Sequence, residues 1–160
     1  LTNTSPAVSG GFITAFVLNN PSNLITSVTL STATGVDTLL GLGNNNVAAA
    51  PFGEFDFGAA AGNIFEDSGS PNEGVGVGVT GTWIFTFAGS NLNTLTTQSF
   101  LNELSGGTGI AGGPQFMVVR FRGFNDGGSD AVPAVPVPAA VPLFLSGLAA
   151  VAFLARRKAS

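Results

Sequence analysis

Hydrophobic and polar residues alternate in short runs along most of this chain, which is the period-2 signature of β-strands. "GFITAFVL" sets Phe12, Thr14, Phe16 and Leu18 on one face and Ile13, Ala15 and Val17 on the other. Both faces are largely apolar, which predicts a strand buried between two layers. "LITSVTLS" sets Val28 and Leu30 opposite Ser27, Thr29 and Ser31, and "TWIFTF" presents Trp83, Phe85 and Phe87 together. "GVGVGVT" puts Val75, Val77 and Val79 on one side with glycines on the other, and "QFMVVRFRGF" sets Val119 and Phe121 against Val118, Arg120 and Arg122. Clusters of Gly, Asn, Pro and Ser between these runs are turn signals. The exception is Thr96–Leu104, where Thr97 can cap a helix, Phe100, Leu101 and Leu104 share a face, and Gly106 supplies a stop. The pattern predicts an all-β domain, an antiparallel β-sandwich with a jelly-roll arrangement as one candidate, carrying one short helix. Gly41–Ala50 and Gly58–Gly74 are expected to be surface loops.

After Asp130 the pattern changes. From Val137 to Ala155 no residue is charged and only Ser146 has a polar side chain. As a helix this stretch would span about 28 Å, close to the hydrocarbon thickness of a bilayer. Pro138 and Pro142 suit an N-terminal turn, so the secure helix begins at Leu143. The division expected is therefore an extracytoplasmic β-sandwich over 1–131 and a Pro-rich linker over 132–142. A single C-terminal transmembrane helix over 143–155 and a basic cytoplasmic tail over 156–160 complete it. Arg156, Arg157 and Lys158 directly after the apolar run predict that the C-terminus stays inside. The chain opens at Leu1, which leaves open whether a leader has been removed or the start is not included.

Charge sharpens this division. Residues 1–131 hold all nine acids against two cations, Arg120 and Arg122, while the other three cations close the chain. A body so acidic, with no basic patch, is not built to hold nucleic acid phosphates. There is no Cys and no His, so thiolate chemistry, His-based catalysis and the usual zinc sites are excluded; the single Lys lies in the tail.

"VPVPAAVPLFLSGLAAVAFLARRK" joins a proline motif at Val135, Pro136, Val137, Pro138 and Ala139, an apolar stretch and a basic stop at Arg156, Arg157 and Lys158. This order resembles a PEP-CTERM sorting signal, in its VPLPA variant, although no Glu stands between the prolines. The resemblance implies a protein exported by a Gram-negative bacterium and held at the inner membrane. It also implies processing by an exosortase-type membrane enzyme, with release to the cell surface or outside. "APFGEFDFGAAAG" and "FMVVRFRGFNDGGSD" look like the paired blocks of many proteins carrying that signal. The expected role is a non-catalytic surface or extracellular-matrix protein associated with exopolysaccharide or biofilm. A glycan-binding module, with or without calcium, is the alternative.

Few constellations in the body carry chemistry. Paired acids can hydrolyse glycosides, and Glu54 with Asp56, or Glu66 with Asp67, are the candidates; neighbouring acids are more commonly a solvated edge, and no enzyme is expected. In "NDGGSD", Asn125, Asp126 and Asp130 offer hard oxygen donors on a glycine-bent loop, which suits calcium, while the plain reading is a polar turn. Asp67 and Glu73 could supply a second calcium site. No other cofactor is expected. Trp83 fits a core strand better than a sugar platform. In "FGEFDFG" an extended chain puts Glu54 and Asp56 on one face, opposite Phe55 and Phe57. Arg120 and Arg122 alternate in the same way, so the expectation is a cross-strand ladder of two acids against two bases.

Overall fold

Strand β1 (Gly10–Leu18) runs through the middle of a five-stranded sheet in the computed structural model, which describes residues 1–32, 35–42, 47–67 and 69–134. The other strands are β2 (Ile25–Thr32), β3 (Thr38–Gly41), β4 (Val47–Ala48), β5 (Glu54–Phe55), β6 (Phe57–Ala60), β7 (Trp83–Gly89), β8 (Met117–Phe124) and β9 (Ser129–Pro133). The large sheet has the order β3-β6-β1-β8-β9; β2 pairs with β7 and β4 with β5, and every named pairing is antiparallel. The architecture is all-β and sandwich-like, with one short helix, α1 (Thr97–Asn102). Among the described residues no helix is long and apolar enough to cross a membrane. The expected membrane span at 143–155, the motif Val135–Ala139 and the cations Arg156, Arg157 and Lys158 lie outside the described residues.

The central strand is apolar on both faces because each face of its sheet is covered. On one side the β2–β7 ribbon delivers Leu30, Trp83 and Phe85 onto a cluster of Ile13, Phe16, Val36, Ala59, Val75 and Val119. On the other side the β4–β5 hairpin and the segment after β6 bring Phe52, Phe55 and Phe65 onto Ala15, Val17, Ala60 and Val118. Strict alternation fails once in β1. The β1–β8 register slips between Ile13 and Ala15, leaving Thr14 as the extra residue of a β-bulge. The bulge turns Ile13 to the same side as Phe16, whereas the sequence pattern placed it with Ala15 and Val17.

A second kink separates β5 from β6. The Asp56 amide donates to the Leu18 carbonyl at 3.1 Å, and the Asp56 carbonyl accepts from the Leu42 amide at 2.9 Å. Across this kink the chain changes face. Phe55 packs in the hairpin-side cluster, while Phe57 lies edge-on to Phe85 and Phe87 of the ribbon, at centroid separations of 5.5 and 5.6 Å. The two aromatics expected on one face therefore serve opposite faces. Strand β6, from Gly58 on, falls inside a stretch expected to be loop. Its FGAA sequence is buried at every position, and Gly58 lets β6 approach β1 so closely that a Cβ there would collide with the Phe16 carbonyl oxygen.

Three further expectations need correction. "GVGVGVT" forms no named strand: Val75 makes an isolated bridge with Ile13, and Val79 closes a turn onto the Gly76 carbonyl at 3.1 Å around Gly78, whose φ is +76°. Glycine at that position reaches left-handed backbone freely, so the run bends where a β-branched residue would have kept it extended. The helix cap is Thr96, one residue earlier than expected, with Thr96 and Ser99 bonding each other's backbone amides in a reciprocal cap; Leu104 beyond it is exposed. Lastly, β9 runs to Pro133, and the Ala134 amide still donates to the Met117 carbonyl at 2.9 Å. The folded body thus extends past residue 131. Proline is tolerated there because β9 is an edge strand.

Candidate functional site

The two arginines are placed by β8, on the face opposite Val119 and Phe121. Their partners come from the segment that covers this face. Phe65, 1% exposed, is driven into the hairpin-side cluster, and the next two residues then lie over β8. Arg120 Nη1 is 3.5 Å from Glu66 Oε2, and Arg122 Nη1 is 3.0 Å from Asp67 Oδ1. Arg122 also donates to the Gly69 carbonyl at 2.7 Å, and Arg120 to Ser129 Oγ at 3.2 Å. Arg120 Nε is buried without a hydrogen-bond partner. The Glu66 carboxylate meanwhile accepts from the Ala50 amide at 2.9 Å, tying the latch to the β4–β5 hairpin.

This corrects the expected ladder. Arg120 and Arg122 engage Glu66 and Asp67, not Glu54 and Asp56. The physical reason is pairing: β8 sits between β1 and β9, while β5 is paired with β4, so among the described residues no strand carrying Glu54 runs beside the arginines. Asp56 instead accepts from the Asn20 amide at 2.8 Å, and the Glu54 backbone forms a bridge with Gly106. The Glu66–Asp67 pair, considered for acid–base chemistry, is committed to cations. The same contact occupies Asp67 of the suggested second calcium site; Glu73 closes an exposed 3-10 turn, Pro71–Glu73.

At the other end of β8, Asn125–Gly128 is the tip of the β8–β9 hairpin. Asn125 Nδ2 donates to the Val8 carbonyl at 3.0 Å, Asp126 Oδ1 accepts from the Gly128 amide at 2.8 Å, and Asp130 Oδ1 accepts from the Ala131 amide at 2.8 Å. Each side chain serves the turn or its neighbouring strand, as Asn and Asp do in Asx turns. Among the described residues no group of three or more acidic side chains is positioned to hold a metal ion.

Trp83 belongs to the core side of the ribbon. Its ring meets Phe16 edge-on at 4.7 Å, and its indole N–H donates to the Val36 carbonyl at 2.7 Å. That bond satisfies the one polar atom of a ring otherwise packed on apolar neighbours. The outer face of the ribbon is different in character: Ser27, Thr29, Ser31 and Thr86 are exposed, with Ile84 among them at 62% exposure.

The feature that sequence reading missed is a groove of about 880 Å³ between β7 and α1. Phe87 and Phe100, stacked at 5.9 Å, form its base, and Leu18, Leu95, Leu101 and Phe116 contribute walls. All six are half-buried, and no charged residue lines the groove. It is an open groove, largely apolar, with Thr96 and Thr97 at its edge. The signal in the sequence was the helix itself, whose apolar residues had no assigned counterpart. A comparison with protein families, curated proteins and solved structures returns no match for this chain.

Proposed function

We propose that the protein is a non-catalytic, exported surface or matrix component of a Gram-negative envelope, addressed by its C-terminal sorting signal and associated with exopolysaccharide. The observation that carries this reading is the division of the chain: an acidic β body, whose cations are tied into ion pairs, is followed at once by "VPVPA", an apolar stretch and "ARRK". The terminal cations suit retention on the cytoplasmic side, which would leave the body beyond the membrane. Expression of the full chain in a bacterium with an exosortase should give a membrane-bound precursor and a shorter released form. Neutral replacement of Arg156, Arg157 and Lys158 should abolish release. A precursor that never enters the membrane fraction, or release that is unaffected by the replacement, would overturn the reading.

A glycan-binding module is the second reading, and the hydroxyl-bearing outer face of the β2–β7 ribbon favours it. Saturable, sugar-specific retention on polysaccharide that is lost in Thr29→Lys would support it. Retention that is unsaturable or identical in the variant would leave only the matrix role.

A further inference from the structure

We propose that the apolar groove between β7 and α1 is the cis docking site for the chain's own C-terminal segment, residues 143–155, before that segment enters a membrane. The inference rests on reading the segment as a membrane address. Three observations support it.

The first is where the body ends. The Ala134 amide bonds the Met117 carbonyl, Met117 pairs with Leu18, and Phe116 is the next residue along the chain. Leu18 and Phe116 are both walls of the groove. The tail therefore leaves the body beside the groove's mouth. Residues 135–142 reach about 26 Å when extended, ample to return residues 143–155 onto walls that begin next to the exit.

The second is chemistry. The groove offers half-buried Leu and Phe side chains, threonines at its edge and no charge, and 143–155 is apolar throughout apart from Ser146 and free of proline, unlike the apolar residues before it. Apolar surface on both partners is removed from water when they meet.

The third is charge. The tail's Arg156, Arg157 and Lys158 are opposite in charge to a body that carries all nine acids. One of these, Glu103, caps the C-terminal end of α1, the helix that forms one side of the groove. An anionic membrane offers the same two attractions in greater measure, apolar depth and negative surface, so membrane and groove compete for one segment. The body would thus shield its own anchor until a bilayer takes it.

Because the chain contains no cysteine, the proposal can be tested by disulfide trapping in full-length protein made by cell-free synthesis. Thr97→Cys, exposed, and Leu92→Cys, half-buried, both line the groove and are each combined with Ser146→Cys. Using two groove positions prevents a local folding defect from deciding the result. Val8→Cys with Ser146→Cys is the comparison: Val8 is 83% exposed and lies beside Asn125, at the far end of β8. Without membranes, the groove pairs should form an intramolecular disulfide and the Val8 pair should not. With vesicles of anionic phospholipid, the chain should float with the lipid and the groove disulfides should be lost. No disulfide in either groove pair without lipid, equal linking at Val8, or linking only between two chains would overturn docking in cis. Linking that persists in chains floating with the vesicles would overturn the competition. Failure to float breaks the membrane-address reading instead, which keeps the two claims separable.

Discussion

Both faces of the central sheet are covered, but by different means. The ribbon face is built from regular alternation: Trp83, Phe85 and Phe87 stand on one side of β7, Val28 and Leu30 on one side of β2, and the rings interlock edge-on with Phe16 and Phe57. The hairpin face is built from short irregular pieces, in which single aromatics are inserted, Phe52 and Phe65 from bends and Phe55 from the two-residue strand β5. A paired ribbon constrains each ring through its neighbours, whereas a turn can close over a missing ring. This predicts unequal tolerance of the same substitution. Phe57→Ala, 1% exposed and wedged between two rings, should cost about 5 kcal/mol, the upper end for a buried aromatic truncation. Phe65→Ala, equally buried, should cost about 3 kcal/mol because the chain around it can relax inward. Urea unfolding of both variants measures the difference, and equal losses would break the comparison.

Trp83 sharpens the account of the ribbon face. Trp83→Ala should cost about 3 kcal/mol, less than Phe57→Ala, since the ring is only half-buried. Trp83→Phe keeps most of the packing and strands the Val36 carbonyl, at about 1–2 kcal/mol. Native emission of this sole tryptophan should be blue-shifted. An emission maximum like that of the unfolded chain, with little loss on Trp83→Ala, would return the ring to the surface.

Legibility in the sequence follows the same divide. The ribbon and β8 were readable because alternation of large apolar and polar residues survives wherever a strand has one buried face and regular pairing. β6 was hidden because Gly58, Ala59 and Ala60 after Phe57 have small side chains and the strand is buried on both sides; what specifies it is close approach at Gly58, and approach leaves no period. The bulge at Thr14 and the kink at Asp56 each shift the chain by one position, which is enough to send Ile13 and Phe57 to the opposite face from the one periodicity assigned. "GVGVGVT" erred the other way, since a perfect alternation with glycine carries too little packing to hold a strand straight. The candidate groove was only half visible: α1 could be read, but the facing positions Leu18, Phe87 and Phe116 come from three separate strands or their flanks, brought together by topology alone.

The β8–β9 hairpin tip offers a smaller test. Asp126→Ala removes the acceptor for the Gly128 amide and should cost about 1 kcal/mol at an exposed turn. Because the carboxylate is explained by the turn, thermal melting should shift equally in calcium and in chelator. A calcium-dependent rise in the parent protein that disappears in Asp126→Ala would establish a metal site, through stabilisation of the folded state by its ligand.

The smallest expected effect is the most specific, because it asks which acids hold the arginines of the hairpin face. Side-chain exposure is 15% for Arg120 and 42% for Glu66, so their pairing is partly screened. It should couple by about 0.5–1 kcal/mol in a double-mutant cycle of Arg120→Met and Glu66→Gln. Asp67 is 78% exposed, and its pair with Arg122 should couple by less and weaken with added salt. The matching cycle of Arg120→Met with Asp56→Asn should return no coupling, since Asp56 serves the Asn20 amide near the start of a different connection. The sign of the single substitutions is also fixed. Glu66→Gln loses its ion pair while its amide oxygen can still accept from Ala50, so it should be milder than Glu66→Ala, which severs latch and hairpin together. Coupling between Arg120 and Asp56 as large as that with Glu66 would reinstate the ladder and require β5 or β6 to run beside β8, against the observed strand order.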